Sequence, residues 1–187
     1  MTIIIDDSIK VALLSESHAE GLFSAIDRSR EHLSDYMPWV GNMQTLADTK
    51  NYIANCQVLH NEKKEISFVI TLNEIIQGRI GLHYWNRQNN TAAIGYWLTK
   101  EALGKGIIIR ACKALINYGF SEMKLNRIEI KAATTNLKSQ AIPEKLGFKK
   151  EGILREAEIV NGRYLDLVLF SLLKNESATH PTTATEC

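Results

Sequence analysis

The chain has 187 residues, 45% hydrophobic and 23% charged, which suits one ordinary globular domain with a core of its own. Lysines and arginines number 22 against 21 aspartates and glutamates, so the net charge of +1 lacks the basic excess of a protein that grips nucleic acid through phosphates. Three widely separated cysteines, Cys56, Cys112 and Cys187, show no C-x-x-C spacing and argue against a disulfide framework or a metal site.

The N-terminus offers three isoleucines before two aspartates, too short for a signal-peptide core, and no apolar run reaches bilayer length. A cytoplasmic protein with no membrane partner is expected. Residues 3–14, rich in Ile and Val, read as a first strand. Ser17-x-x-Glu20 resembles a capping box opening a helix to about His32, with Leu22, Phe23 and Ile26 on one stripe. Residues 34–42, holding Pro38 and Gly41, read as a loop. Thr45 begins a second helix, carrying Leu46, Ile53 and Leu59 and ending near Asn61.

The period then changes. Residues 66–72 and 75–85 are dense in β-branched and aromatic side chains and flank Asn73-Glu74 as hairpin strands do. Residues 86–90 form a polar turn, 91–98 another strand, and 104–123 a long apolar helix. Ile128, Ile130 and Ala132 alternate with charged neighbours across 127–133, a strand signature. A shorter helix over 137–146 precedes two closing strands, 148–159 and 163–173, joined by Asn161-Gly162. Residues 175–187 lack an apolar pattern and are expected to be a disordered tail behind a single domain of residues 1–174. Early hairpins and later strand–helix–strand units predict an α/β (α+β) fold, one mixed sheet with helices on its faces.

The segment Leu103-Gly104-Lys105-Gly106-Ile107 lies between a strand and the long helix. A helix N-terminus presents unpaired N–H groups and the positive end of a dipole, and two nearby glycines let the backbone curl around an anion. Lys105 and Arg110 add positive charge, so a diphosphate-bearing ligand is indicated. Ile109 stands where a dinucleotide fingerprint needs a third glycine, and Gly106 stands where a Walker motif needs Ser or Thr. Alone, such a Gly-x-Gly is equally a structural turn.

Ile94-Gly95-Tyr96-Trp97-Leu98, the Gly104-Lys105-Gly106 turn, Asn136-x-x-Ser139 and Lys145-Leu146-Gly147-Phe148, in this order, resemble the GNAT acetyltransferases. Within that family they resemble the branch that includes the RimJ and RimL ribosomal-protein N-acetyltransferases. The resemblance extends more loosely over roughly residues 3–174, including the Pro38-Trp39 loop and the segment from Asn161 to Asp166. It implies a single-domain GNAT-like fold with a mostly antiparallel sheet of about seven strands. Acetyl-CoA is the implied co-substrate, contacted by Trp97, Leu98 and Thr99 through main-chain atoms and by Leu103, Gly104, Lys105, Gly106 and Ile107 at its phosphates. Asn136, by default a plain helix cap, gains a contact to the cofactor arm, and Lys145 a contact to a phosphate. Ser139, otherwise a surface serine, becomes the acid that protonates the departing thiolate. Pro143 cannot donate to the Ser139 carbonyl, which predicts a kink that serves either a ligand groove or packing.

The family often carries a glutamate just before the Ile-Gly-Tyr, and this chain has Ala93 there. Either water relays the proton or another residue accepts it. His83 on the preceding strand is the candidate base, although a lone histidine between Leu82 and Tyr84 also fits a structural role. The acceptor pocket is expected from Tyr36, Met37 and Trp39 in the loop between the first helices, with Tyr84 and Trp85 facing them. The resemblance implies direct attack by a primary amine, above all a protein α-amino group of the ribosomal type, without a covalent acyl-enzyme at Cys112. The alternatives are a small-molecule amine as acceptor, or an acyl-CoA sensor without turnover, which Ala93 favours. Nucleic-acid partners are not expected, and a homo-oligomer is left open.

Overall fold

The chain enters through two short antiparallel strands, β1 (Thr2–Ile4) and β2 (Ile9–Leu13), where the sequence predicts one. Asp6 makes the break: its Oδ1 accepts from the Ser8 amide, the Ser8 hydroxyl and the Ile9 amide, each at 2.8 Å, closing a side-chain turn. A computed structural model of the chain describes residues 1–177.

The first helix is capped two residues earlier than Ser17-x-x-Glu20 suggests. The Ser15 amide donates to His18 Nδ1 at 3.1 Å over a 3₁₀ turn, Glu16–His18. The helical stretch then divides into α1 (Ala19–Arg28) and α2 (Arg30–Ser34). Ser29, buried at the break, accepts from the Lys100 amide at 3.1 Å and so pins this corner to the sheet. The next helix, α3 (Leu46–Asn61), begins at Thr45 as predicted. Thr45 and Asp48 exchange hydrogen bonds in a reciprocal cap, amide to Asp48 Oδ2 at 2.8 Å and Asp48 amide to Oγ1 at 3.2 Å.

The central strands are β3 (Ile66–Leu72), β4 (Ile75–Asn86) and β5 (Thr91–Leu98), followed by α4 (Ile107–Ser121) and β6 (Arg127–Ala133). Then come α5 (Leu137–Lys145), β7 (Lys149–Val160), β8 (Arg163–Leu173) and a helical turn, α6 (Lys174–Ser177). Residues 175–177 therefore belong to this turn and not to a disordered tail; the rest of that predicted tail lies outside the described residues. Asn161 and Gly162, both at positive φ, close the last hairpin as read from sequence.

Among the described residues eight strands form one sheet in the order β1-β2-β3-β4-β5-β6-β8-β7, one more than expected because the first strand is double. Every pairing is antiparallel except β5 with β6. Strand alternation gives the sheet two apolar faces. Ala111 and Leu115 of α4 pack with Phe68, Ile80, Leu82 and Ile94 on one. Leu22 and Ile26 of α1 and Ile53 of α3 pack with Val69 and Trp97 on the other. Each such fully buried Leu or Ile contributes roughly 1.5–3 kcal/mol, so both helical layers hold the sheet firmly. Among the described residues no helix is long and apolar enough to cross a membrane.

Candidate active site

The parallel pairing of β5 with β6 covers only Thr91↔Arg127, Ala92↔Ile128 and Ala93↔Glu129. Beyond Ala93 the register contains no further pair, so the two strands part and leave a cleft. On the other side β5 stays paired with β4 as far as Gly78↔Leu98. The Thr99 amide donates to the Gln77 carbonyl at 2.7 Å, and its hydroxyl bonds Gln77 Oε1 at 2.6 Å. Main-chain direction alternates along a strand, so Thr99, Trp97 and Gly95 turn their peptide groups to β4. Ile94, Tyr96 and Leu98 turn theirs to the cleft. Of the three residues expected to offer main-chain contacts, the structure therefore turns Leu98 to the cleft, while Trp97 and Thr99 are committed to the sheet.

The cleft runs into the glycine turn. Gly104 and Gly106 hold φ of +77° and +67°, a conformation that L side chains adopt at a cost, and nothing lies within 4 Å of the Cβ that either would carry. The glycines thus serve backbone direction around an open concavity. Gly106 is the N-cap of α4 and brings no side chain to it, which leaves the amides of Ile107, Ile108 and Ile109 without an intrahelical acceptor. Leu103 and Lys105 are exposed beside them. Arg110 is occupied: it pairs with Asp6 and donates to the Lys105 carbonyl at 3.2 Å, bracing the turn.

Across the cleft stands the start of α5. Asn136 caps it, its Oδ1 accepting from the Ser139 amide at 3.1 Å. The Ser139 hydroxyl lies 3.3 Å from the hydroxyl of Tyr96, which also donates to the Ser139 carbonyl at 3.2 Å. Pro143 lacks the amide that would otherwise take this carbonyl, so Tyr96 satisfies the acceptor that the proline frees. Burial, with Cys112 nearby, pushes the Tyr96 phenol up, so it stays protonated and able to donate. Lys145 is exposed at the far end of α5, away from Asn136 and Ser139. Burial also pushes the Cys112 thiol up, and a buried thiol of this kind is no nucleophile.

His83 lies on the opposite face of the sheet from Tyr96 and Ser139. It is the direct cross-strand neighbour of Ala93. Its Nδ1 is 2.8 Å from Glu65 Oε2. Glu65 Oε1 accepts from the Ser67 hydroxyl at 2.6 Å and Arg79 Nη2 at 2.9 Å. Burial alone would raise the Glu65 carboxyl, but the hydrogen bond and charge of His83, then Ser67 and Arg79, outweigh it and hold it at about 2. The Nε2 edge of the imidazole sits over two glycines: a Cβ at Gly95 would come within 3.1 Å of the ring, and one at Gly81 within 3.1 Å of Nε2.

These groups line a cavity of about 220 Å³ between the sheet, α1 and α3. Trp39 and Trp97, 5.8 Å apart between ring centroids, wall it together with Tyr52, whose ring faces the Arg79 guanidinium at 5.3 Å. Arg79 Nε is buried there with no hydrogen-bond partner among the described residues. Of the aromatic residues expected to form an acceptor pocket, Trp39 enters it. Tyr36 does not; its hydroxyl reaches outward to the Thr135 carbonyl at 3.4 Å. Tyr84 is 82% exposed because its φ of +54°, at a bulge between β4 and β5, turns it off the sheet face. Glu65 and Arg79 were not singled out by sequence, and Tyr96 entered only as part of the Ile94–Leu98 motif, without a role. A glutamate opening one hairpin strand and a histidine near the end of the next are a usable signal only once the register is known.

A sequence profile described as acetyltransferase (GNAT) domain matches residues 10–149. The chain is 38% identical over 174 residues to a putative ribosomal N-acetyltransferase, YdaF, of Bacillus subtilis (strain 168), covering 92% of this chain and 94% of that one. It is 30% identical over 170 residues to the ribosomal-protein-serine acetyltransferase of Escherichia coli (strain K12), with 91% and 95% covered. The crystal structure of the microcin C7 self-immunity acetyltransferase MccE in complex with acetyl-CoA and AMP superposes with a TM-score of 0.86 at 30% identity, covering 90% of this chain and 94% of that one.

Proposed function

The chain belongs to the GNAT acetyltransferase family, and on that premise we propose that it moves the acetyl group of acetyl-CoA to the α-amino group of a protein, of the ribosomal-protein type, by direct attack within a ternary complex. One observation carries the reading: a strand edge whose main-chain groups at Tyr96 and Leu98 turn to the cleft leads, through a short 3₁₀ turn at Lys100–Ala102, to a glycine turn whose amides at 107–109 have no intrahelical acceptor. The open space at Gly104 and Gly106, whose positive φ favours glycine, fits a diphosphate, and the strand edge fits an amide-bearing arm. Acetyl-CoA, when bound, supplies an activated acyl group. The chain's own residues do the rest. Amides along the β5 edge orient the carbonyl and withstand the charge that gathers on its oxygen. Ser139, steadied by Asn136 and Tyr96, delivers a proton to the leaving sulfur. His83 takes one from the incoming amine at the place where Ala93 offers nothing. The setting is cytoplasmic and involves neither metal, nucleic acid nor membrane.

The cavity favours a singly charged terminus over a polyamine. Glu65 is the only carboxylate among the described residues lining it, and three donors already occupy it. A second ammonium would find no counter-charge. Mass spectrometry of peptides and small amines after incubation with labelled acetyl-CoA tests the proposal. Acetylation of an N-terminal amine is expected. Tight coenzyme binding with no free coenzyme released for any acceptor would make the protein a sensor, and acetylation of polyamines alone would move the acceptor class.

A further inference from the structure

The pair His83–Glu65 has the geometry of a carboxylate–imidazole dyad. An ionised carboxylate only accepts hydrogen bonds, so at 2.8 Å from Glu65 Oε2 the His83 Nδ1 carries the proton and donates it. The neutral ring then holds its lone pair on Nε2, for which no partner is present among the described residues. Nε2 lies on the β5 side of the ring, over Gly81 and Gly95, and the ring borders the cavity beneath Trp39 and Trp97. Glu65 cannot swing away, because Ser67 and Arg79 hold its other oxygen from the same face of the sheet. The remaining titratable groups around the ring are Tyr52 and Cys56 of α3, both kept neutral by burial, and Tyr84, whose ring is 6.4 Å away.

We propose that Glu65 is a positioning residue, which fixes the tautomer and the tilt of His83 so that Nε2 is the atom that deprotonates the acceptor amine. The inference rests on the acetyltransferase reading. In the balanced step the acceptor ammonium gives one proton to Nε2, and its freed lone pair forms the C–N bond while the C–S bond breaks with its electrons on sulfur. The nitrogen's second proton is released as sulfur takes one up, leaving an amide, a thiol and one proton that the imidazolium returns to solvent. Water is no required relay in this arrangement, which answers the alanine at 93 with a histidine one strand away.

The test has two readouts. The first is ¹⁵N NMR of the histidine rings in the free protein, where His83 is expected as the Nδ1–H tautomer at neutral pH. Glu65→Gln, whose amide can donate as well as accept, is expected to mix the tautomers. The second is the split between kcat and KM: kcat should fall in Glu65→Gln while KM holds, with Glu65→Asp restoring most of it. A wild-type ring protonated on Nε2 overturns the proposal. So does a kcat that is unchanged in both Glu65→Gln and His83→Ala, which would place the base elsewhere, for instance at Glu158, whose carboxyl is raised by burial. A ring with the expected tautomer in a protein that acetylates no amine would sink the acetyltransferase reading instead, a result distinct from failure of the dyad.

Discussion

The Tyr96 hydroxyl donates to the Ser139 carbonyl at 3.2 Å, across the cleft that separates β5 from α5. That carbonyl is available because residue 143, whose amide would normally close the helical turn, is a proline. A helix irregularity legible in the sequence thus becomes the point where strand and helix are tied together. It also sets the Ser139 hydroxyl within 3.3 Å of the same phenol.

Removing the tie should therefore cost stability in a way that depends on Pro143. Tyr96→Phe leaves a half-buried carbonyl without a donor and is expected to destabilise the protein by about 1–3 kcal/mol in urea unfolding. In a Pro143→Ala background the alanine amide can take the carbonyl, so the same Tyr96→Phe change should cost distinctly less. Equal costs in the two backgrounds would show that the bond does not hold the cleft.

How far the site was legible differs sharply between its two faces. The coenzyme side reads from local signals: paired glycines before an apolar helix, Asn136 three residues before Ser139, a proline at 143. Each depends on residues close in sequence, and the turn, the cap and the freed carbonyl all form in the structure, whereas Trp97 and Thr99 are committed to β4 and Lys145 lies at the far end of α5. The acceptor side depends on register. A regular hairpin grown from Asn73-Glu74 would set Glu65 opposite Leu82 and Lys64 opposite His83. One extra residue in β4, between Ile76 and Gly78, shifts the pairing so that Ile66 meets Leu82 and Glu65, just before the strand, reaches His83. A slip of one residue moves a side chain to the other face, and no composition rule announces a bulge at Gln77. The positive φ of Tyr84 is hidden for the same reason, and it removes from the cavity an aromatic ring that alternation would have put near it.

The glycine turn predicts a separable effect. Gly106→Ala forces an alanine to φ of +67°, at a cost of roughly 1–2 kcal/mol, and any relaxation of that strain redirects the amides at the start of α4. Calorimetric titration should show weaker coenzyme A binding, whereas Lys105→Ala, which removes only an exposed charge, should change it less. Identical affinity in Gly106→Ala and wild type would take the diphosphate away from this turn.

Acid unfolding reports on Glu65. Its carboxyl is lowered in the folded protein from 4.5 to about 2, so folding favours the ionised form. The sign follows: this stabilisation is fully present above about pH 4.5 and disappears as pH falls through 2. Its size is at most ~3.5 kcal/mol, since each pH unit between the unfolded and folded values is worth about 1.4 kcal/mol. Glu65→Gln should accordingly be less stable than wild type near neutrality, and the gap should close between about pH 5 and pH 2. A gap that stayed constant over that range would mean that the variant loses packing alone.

Gly95 joins the two faces of the site. Its backbone belongs to the strand that borders the cleft, while the space a side chain would fill on the other face is taken by the His83 ring, 3.1 Å from that missing Cβ. Gly95→Ala adds one methyl group without touching the cleft-facing main chain of Tyr96 and Leu98. Coenzyme affinity should therefore hold while the imidazole, pinned by Glu65 and unable to retreat freely, is pushed off its position. Displacements on the order of 1 Å cost about 10²-fold in rate when a proton must move along a set line, so a fall of that order in kcat is the upper expectation. The deciding comparison is with His83→Ala: if the methyl group acts only through the ring, Gly95→Ala should lower kcat no further once the imidazole is gone. A full additional loss in the double variant would mean that the glycine serves the strand's own geometry and not the histidine lying over it.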